Sequence, residues 1–501
     1  MGKDLRSFLA DAEEANRLYR ITKEIDPNSQ IGVLANQSDR ALLFENVKGF
    51  DGWQIASNFN HNREMEMVGL GVGSREDVIK KLAHCIDQGP RPRTVVTESP
   101  VQEIVWEGED ANLNRLPVGQ HSELDGGRYI GSGIGIVVDP ETGLHNTTWP
   151  RIQVGDGKTC GFLIYSAHVS QIAAKYAAAG QAMPMAVSIG HHPAIDIAAS
   201  LSIHHPTCGE LDFASSIAEE DVEFTKCGSI DIEVPSSAEI VLECEVPPSV
   251  VQDEGPFGNY MGTYAAGPMA RDGVQKAVVI NVKRITMRRN PIYRHLNSTI
   301  WTEHQRLCML PIEANLYTAL REMGLDVHDV YIPGWGGCGL TIIQMTPRGE
   351  GEAESAMLKA TLWEDTTLGF MSHTAVAVNR DVNIYDARDV MWAISVRTDW
   401  GKPIQQIFNT PASPLRAGAR RVKGLPYRLS GKAMINATAL PPKDDFDWWD
   451  QNRAWPNGYG KYDLADFVDD YQPTEARMRR VVSHDEMVAI KPGKFKPAIK
   501  S

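Results

Sequence analysis

No Cys-x-x-Cys pair occurs among the seven cysteines of the chain, Cys85, Cys160, Cys208, Cys227, Cys244, Cys308 and Cys338. Their odd number and wide spacing argue against a disulfide framework or a zinc ribbon and predict reduced thiols in a cytoplasm. Basic residues are also scarce: 50 Lys and Arg against 64 Asp and Glu leave a net charge of −14. Nucleic acid and anionic membrane surfaces are disfavoured as partners. An anionic substrate must then be held by a local cation. No run approaches about 18 apolar residues, so no spanning helix is expected. The opening Met1-Gly2-Lys3-Asp4-Leu5-Arg6 has no apolar core of the kind a secretory signal needs. Three common signatures are missing as well. Gly71-Val-Gly73 and Gly133-Ile-Gly135 lack the third glycine of a dinucleotide fingerprint, and there is neither a P-loop nor a Gly-x-Ser-x-Gly elbow.

What is present is ordinary globular composition, 42% hydrophobic and 23% charged over 501 residues. At roughly 100–200 residues per domain this length suggests about three domains. Residues 4–20 place Leu5, Phe8, Leu9, Ala12 and Ala15 at helical spacing. Residues 75–88 repeat the pattern and stop at Gly89-Pro90. With a strand at Ala41–Phe44, these form an N-terminal α/β domain over 1–110. From 111 to 300 the pattern turns to period 2, at 229–247 and 278–286, with a glycine-rich strand over 130–138 and one helix over 166–179. This predicts a largely β domain, a barrel. A connecting helix over 301–325 leads to a second α/β domain over 326–440, with strands at 340–345 and 374–378 and helices at 352–363 and 387–396. Residues 441–501 read as an arm rich in Asp, Trp, Pro and Gly followed by a helix at 474–489.

Four motifs could carry chemistry. Asn146-Thr-Thr-Trp-Pro-Arg151 ends in an arginine, whose planar fork suits a carboxylate; taken alone, an ordinary surface arginine is the commoner case. Asp253-Glu254-Gly-Pro-Phe-Gly-Asn259 sets two acids before a tight turn. Glu254 could pair with Arg151 or move a proton, although a turn with solvated acids is the blander reading. Asn146, His168 and Glu210 offer amide, imidazole and carboxylate ligands suited to a hard metal, as His191-His192 and His204-His205 also could by composition. Thr302-Glu303-His304 reads first as a helix cap with a dipole-favoured acid, and second as a histidine placed over a substrate ring.

Together these pieces resemble the UbiD family of reversible decarboxylases, which includes ferulic acid decarboxylase. The resemblance spans nearly the whole chain, from Asp4-Leu-Arg-Ser-Phe8 through Leu116-Pro-Val118, His121 and Asp125-Gly-Gly-Arg-Tyr129 to Asp389-Val-Met-Trp-Ala393. It implies a split β-barrel, similar to flavin reductases, flanked by N- and C-terminal α/β domains. It implies prenylated FMN, supplied by a separate flavin prenyltransferase, with Mn2+ and K+ tying its phosphate to the protein. The Mn2+ ligands would be Asn146, His168 and Glu210, and the cofactor contacts Thr148, Trp149, Pro150, Arg151, Ala167, Ser200 and Leu201. Arg151 would hold the carboxylate of an aromatic, heteroaromatic or fused-ring acid, with Glu254 as its partner. The chemistry implied is covalent addition of the cofactor to the ring, loss of CO2 and protonation. A homodimer is the implied assembly.

The chain departs from the family pattern at Asn259, where relatives carry the acid that delivers the proton; an amide has no accessible proton to give. The family lysine near the cofactor is also missing, with Thr367 at about its place. Cys338 stands where hydroxybenzoate-type relatives have a lysine, which favours a heteroaromatic or fused-ring acid such as a phenazine carboxylate. Asn259 also admits a non-catalytic flavin-binding accessory subunit, and the barrel admits an FMN reductase. The retained Arg151 and Glu254 count against the first, and the absent dinucleotide motif against the second.

Overall fold

The computed structural model of the chain describes residues 2–164, 166–202, 207–266, 270, 272–299, 301–362, 371–401, 404–425, 427–439, 453–454 and 467–468. The expected helix at 474–489, most of the arm with its three tryptophans, His204, His205 and Thr367 lie outside these residues.

Local chemistry sets the elements. Asp4 opens the first helix, Leu5–Glu14, with its carboxylate accepting the Ser7 amide while the Ser7 hydroxyl accepts the Asp4 amide. The helix is shorter than its apolar spacing predicts. Asn16 takes a left-handed φ of 55°, the Arg17 amide closes onto Ala12, and Leu18–Ile21 continues as a strand. The second predicted helix falls at Arg75–Gln88, capped by Ser74 and ended at Gly89. The later helices and strands follow the sequence periodicity closely: Ala167–Ala178, Glu303–Glu322, Leu340–Met345, Glu352–Leu362, Thr374–Val378 and Ala387–Arg397.

Two compact units divide the chain, residues 1–314 with 411–429, and residues 315–410 with 430–501. The first holds a four-stranded sheet in the order Leu18–Ile21, Ala41–Phe44, Gln54–Ser57, Ile292–Arg294. It also holds a ten-stranded antiparallel sheet that curls as the split barrel. The long strand Gln275–Met287 organises this sheet, pairing with Thr159–Phe162, Ile240–Val246, Val251–Glu254 and Ile104–Glu107. A thirteen-residue strand can serve so many neighbours because its two ends pair with different partners. Alternating Ile240, Leu242, Cys244, Ile280 and Ile285 face the apolar core with Val137, Ile152 and Phe162.

The second unit is an α/β layer. Leu340–Met345, Thr374–Val378 and Arg428–Ala437 run parallel, with Val327–Tyr331 antiparallel at one side. Helix Ala387–Arg397 buries Val390 and Ala393 against Ile342, Val376 and Val378. All seven cysteines are free. Among the described residues no helix is long and apolar enough to cross a membrane.

Candidate active site

The strand His145–Thr148 pairs with Gly133–Val138, Thr148 lying opposite Gly135. A side chain at Gly135 would meet the Met185 methyl at 2.5 Å, Thr148 at 3.0 Å and Pro150 at 3.2 Å. The glycine-rich strand therefore makes room for the Thr148-Trp149-Pro150 stretch rather than cradling a dinucleotide. A second close approach sets Glu210. A Cβ at Gly209 would lie 2.1 Å from the His145 carbonyl, so only glycine lets the turn Glu210–Phe213 sit against this strand.

The three expected metal ligands come together. Asn146 Nδ2 donates to Glu210 Oε1 at 3.0 Å and stands 3.5 Å from His168 Nδ1. The Thr147 amide donates to Glu210 Oε2 at 3.0 Å. Burial pushes the Glu210 carboxyl above its ordinary value. Among the described residues no group of three His, Cys, Asp or Glu could hold a metal; this cluster needs the Asn146 amide to complete it. His168 is the second residue of Ala167–Ala178, capped by Ser166. Ser200 and Leu201 follow helix Pro193–Ala199, whose last carbonyl accepts from Thr147 Oγ1 at 3.1 Å. The Ser200 hydroxyl itself donates to the Asp196 carbonyl at 2.9 Å.

Arg151 and Glu254 meet as the sequence suggests. Nη2 of Arg151 donates to Glu254 Oε2 at 2.6 Å, with Glu254 fully buried and Arg151 9% exposed. In the strand Val251–Glu254 side chains alternate, so Asp253 points outward to Lys276 at 2.7 Å while Glu254 points in. Two further residues belong to the pair and were not singled out in the sequence. The Tyr129 hydroxyl donates to Glu254 Oε1 at 3.1 Å, and the Phe257 ring lies 4.9 Å from the Arg151 guanidinium and 4.5 Å from the Tyr129 ring. Tyr129 sat in view within Asp125-Gly-Gly-Arg-Tyr129, but no spacing links residue 129 to residue 254. Burial first, and the Glu254 charge second, push the Tyr129 phenol well above its usual range, so it remains a donor.

Asn259 is occupied by its own turn. Its amide nitrogen donates to Thr263 Oγ1 at 3.2 Å and to the Ala265 carbonyl at 2.9 Å, and its Oδ1 accepts from the Met261 amide at 2.9 Å. His304 starts the helix Glu303–Glu322, with Nδ1 2.8 Å from Ser298 Oγ and its ring 5.0 Å from that of Tyr260. Burial brings its pKa down to about 4, so the ring is neutral at pH 7. Thr302 donates back to the Thr299 carbonyl at 2.9 Å. The dipole-favoured acid Glu303 has a larger role than expected: it is fully buried against Arg294. His191 and His192 serve the interior. His191 bridges Ser188 and Asp196 at 2.8 and 3.1 Å, and His192 caps Pro193–Ala199. Ser188, His191 and Asp196 have the pattern of a hydrolase triad, but all three are buried at 2% exposure or less, which leaves no room for a substrate. Cys338 is buried in the second unit.

Comparison with known proteins follows the same path through the chain. Residues 9–86, 93–299 and 305–437 match the N-terminal, Rift-related and C-terminal domains of 3-octaprenyl-4-hydroxybenzoate carboxy-lyase. The anhydromevalonate phosphate decarboxylase of Methanosarcina mazei is 31% identical over 449 residues, 88% of this chain and 98% of the relative. The UbiD-class enzyme HmfF of Pelotomaculum thermopropionicum, solved in complex with FMN, is 30% identical with a TM-score of 0.82, covering 93% of this chain and all of that one. Vanillic acid decarboxylase of Sedimentibacter hydroxybenzoicus in its open form is 27% identical with a TM-score of 0.77, over 92% of this chain and 97% of that one. The matches run through all three domains, and the chain belongs to the UbiD family of carboxy-lyases.

Proposed function

We propose that this protein is a prenylated-FMN-dependent decarboxylase of an aromatic, heteroaromatic or fused-ring carboxylic acid. The observation that carries the proposal is the buried Arg151–Glu254 pair at 2.6 Å, a fixed cation whose anionic partner can give way to a substrate carboxylate. A flavin carrier would have no use for it.

The residues present fit the cofactor. Asn146 Oδ1 and Trp149 Nε1 are buried without a hydrogen-bond partner among the described residues. One is an acceptor beside an uncompensated acid, the other a donor, and a bound metal and flavin would satisfy both. Asn146, His168 and Glu210 would hold Mn2+ against the cofactor phosphate. Thr148, Trp149, Pro150 and Ala167 would line the flavin, with Ser200 and Leu201 beyond them, and K+ is the second ion. A flavin prenyltransferase supplies the cofactor, as the prFMN complex of HmfF makes chemically reasonable for a relative. When bound, prenylated FMN supplies an electrophile that accepts the electrons CO2 leaves behind.

The protein's own part is binding, orientation and proton handling. Arg151 holds the carboxylate in two N–H bonds and so fixes the position of the carbon that bears it. Tyr129 and Phe257 keep Glu254 and Arg151 in place. In this reading His304, a neutral imidazole beside Tyr260, would lie over the substrate ring. The active unit is proposed to be a cytoplasmic homodimer.

Protein co-expressed with a flavin prenyltransferase should release CO2 from at least one member of a panel of aromatic, heteroaromatic and acrylic acids, and protein made without the prenyltransferase should not. Turnover independent of the prenyltransferase, or silence despite prenylated flavin bound by mass, would count against the assignment.

A further inference from the structure

We infer that Glu254 takes up one proton when a carboxylate binds Arg151, and delivers that proton to the carbon that loses CO2. The inference rests on the decarboxylase reading above and goes beyond it in naming the proton donor.

It starts from what Asn259 does. All the hydrogen-bonding capacity of its amide nitrogen is used inside the turn, on Thr263 Oγ1 and the Ala265 carbonyl, and its oxygen holds the Met261 amide. The side chain is a structural brace with no proton to spare. Among the described residues, the charged and titratable groups bonded to Glu254 are two. Arg151 donates to one oxygen and Tyr129 to the other. Asp125 also feels the Arg151 charge, and both of its oxygens are tied to backbone, at 2.7 Å to the Gly258 amide and 2.8 Å to the Ser122 amide. It clamps the turn and cannot swing to a substrate. Asp253 faces away, to Lys276. The Tyr129 phenol stays protonated and cannot absorb negative charge.

With Glu254 ionised, Arg151 is balanced. A substrate carboxylate brings a second anion to one guanidinium in a buried site, and two carboxylates sharing one cation cannot both remain charged. The substrate must stay ionised to lose CO2, so the proton goes to Glu254. Its Oε2 is released as Arg151 turns to the substrate, and Tyr129 still holds Oε1, so the carboxyl keeps its position. When the bond from the ring carbon to the carboxylate breaks, neutral CO2 leaves and its electron pair is left behind for a new C–H bond. The Glu254 O–H bond breaks, its proton forms that C–H bond, and Glu254 returns to Arg151 as an anion. One carboxylate and one proton give one neutral product and one CO2, with no net oxidation. A single carboxylate thus does the work that two acids share elsewhere in the family.

Proton uptake can be read without turnover. Flavin-loaded protein is titrated with benzoate and with 2-naphthoate by calorimetry, in two buffers of different ionisation enthalpy at one pH. The expected result is uptake of about one proton per bound carboxylate in the native protein and near none in Glu254→Gln. Binding without uptake, or uptake that survives in Glu254→Gln, overturns the proton inference and leaves the decarboxylase reading intact. If Glu254→Gln does not fold, the native uptake decides alone. Failure of both probes to bind overturns both readings, because Arg151 then anchors no carboxylate.

Discussion

Arg151–Glu254 and Arg294–Glu303 are both buried ion pairs closed at 2.6 Å, but their surroundings differ. Glu303 receives two nitrogens of Arg294, the Ser57 hydroxyl and the amides of Asn58 and Phe59. The Phe59 ring backs the guanidinium at 3.9 Å. Burial opposes the Glu303 charge, yet Arg294 and the two amides more than reverse this and hold its carboxyl below the ordinary value. Beside it, Arg63, Glu66, Arg306 and Glu313 form a fully buried network of the same saturated kind. Glu254 receives only Arg151 and the Tyr129 hydroxyl in the described bonds. A carboxylate whose lone pairs are filled by main chain fixes a helix to a sheet. One held by side chains alone can exchange its partner, and that is the capacity a reaction needs.

The sharpest way to break this contrast is to remove one member of each pair. Arg151→Ala should lower turnover of flavin-loaded protein by on the order of a thousandfold or more, since the proposed substrate loses the cation proposed to anchor its carboxylate. Glu303→Gln should leave turnover per folded molecule nearly unchanged and lower stability by about 3–5 kcal/mol, because Arg294 is left buried and uncompensated. Urea midpoints and initial rates on the same preparations would tell. Near-native rates in Arg151→Ala, or a dead but stable Glu303→Gln, would erase the distinction.

Acid should test both pairs at once, because His121 stands between them. Its ring lies 4.7 Å from His295, next to Arg294, and 6.0 Å from Phe257, next to Arg151. Its Nε2 lies 3.0 Å from the Tyr129 carbonyl, and its Nδ1 3.3 Å from the Ser298 amide nitrogen. This pattern makes Nε2 the protonated nitrogen and Nδ1 the acceptor of the Ser298 N–H. Burial brings its pKa down from 6.5 to about 4. Between these values the unfolded chain carries the proton and the folded chain does not. Stability should therefore rise with pH across the window and be lost as pH falls through it, by on the order of 3 kcal/mol. His121→Gln keeps a donor for Tyr129 and should reduce that slope in melting temperature against pH by its own share, the buried His192 and His304 contributing the same sign. An unchanged slope would place the acid sensitivity elsewhere.

These contrasts also mark what could be read from the chain before folding. Helices such as Arg75–Gln88 were legible because apolar spacing and end residues agree, and Gly89 and Ser74 act within one turn of the residues they cap. Period 2 placed only the barrel strands Ile240–Val246 and Gln275–Met287, and it distinguishes the inward Glu254 from the outward Asp253 once the shorter strand Val251–Glu254 is known. The metal-type cluster and the Arg151–Glu254 pair were candidates by residue type that only family resemblance singled out, because separations of 64 and 103 residues carry no local signal. Tyr129 and the Arg294–Glu303 pair were missed for the same reason. Glu303 looked like a helix-start acid, and it is one, but its carboxylate is committed to residues 57–59, which no periodicity connects to it.

The smallest expected effect is the most discriminating. Asn259→Asp places an acid where the family resemblance implies one, and on sequence alone it could quicken the enzyme. The geometry predicts the reverse. Thr263 Oγ1 already donates to the Leu415 carbonyl at 3.2 Å, so towards residue 259 it can only accept, and the Ala265 carbonyl can only accept as well. An aspartate there has two acceptors facing its oxygens and no hydrogen for either while ionised. The turn that follows the Glu254 strand should loosen by about 1–2 kcal/mol, with a matching loss in urea midpoint and a modest fall in turnover as Glu254, five residues upstream, loses alignment. A faster Asn259→Asp enzyme of unchanged stability would mean that the turn yields without cost and that the new acid reaches the substrate, and Glu254 would then no longer be the only carboxyl handling the proton.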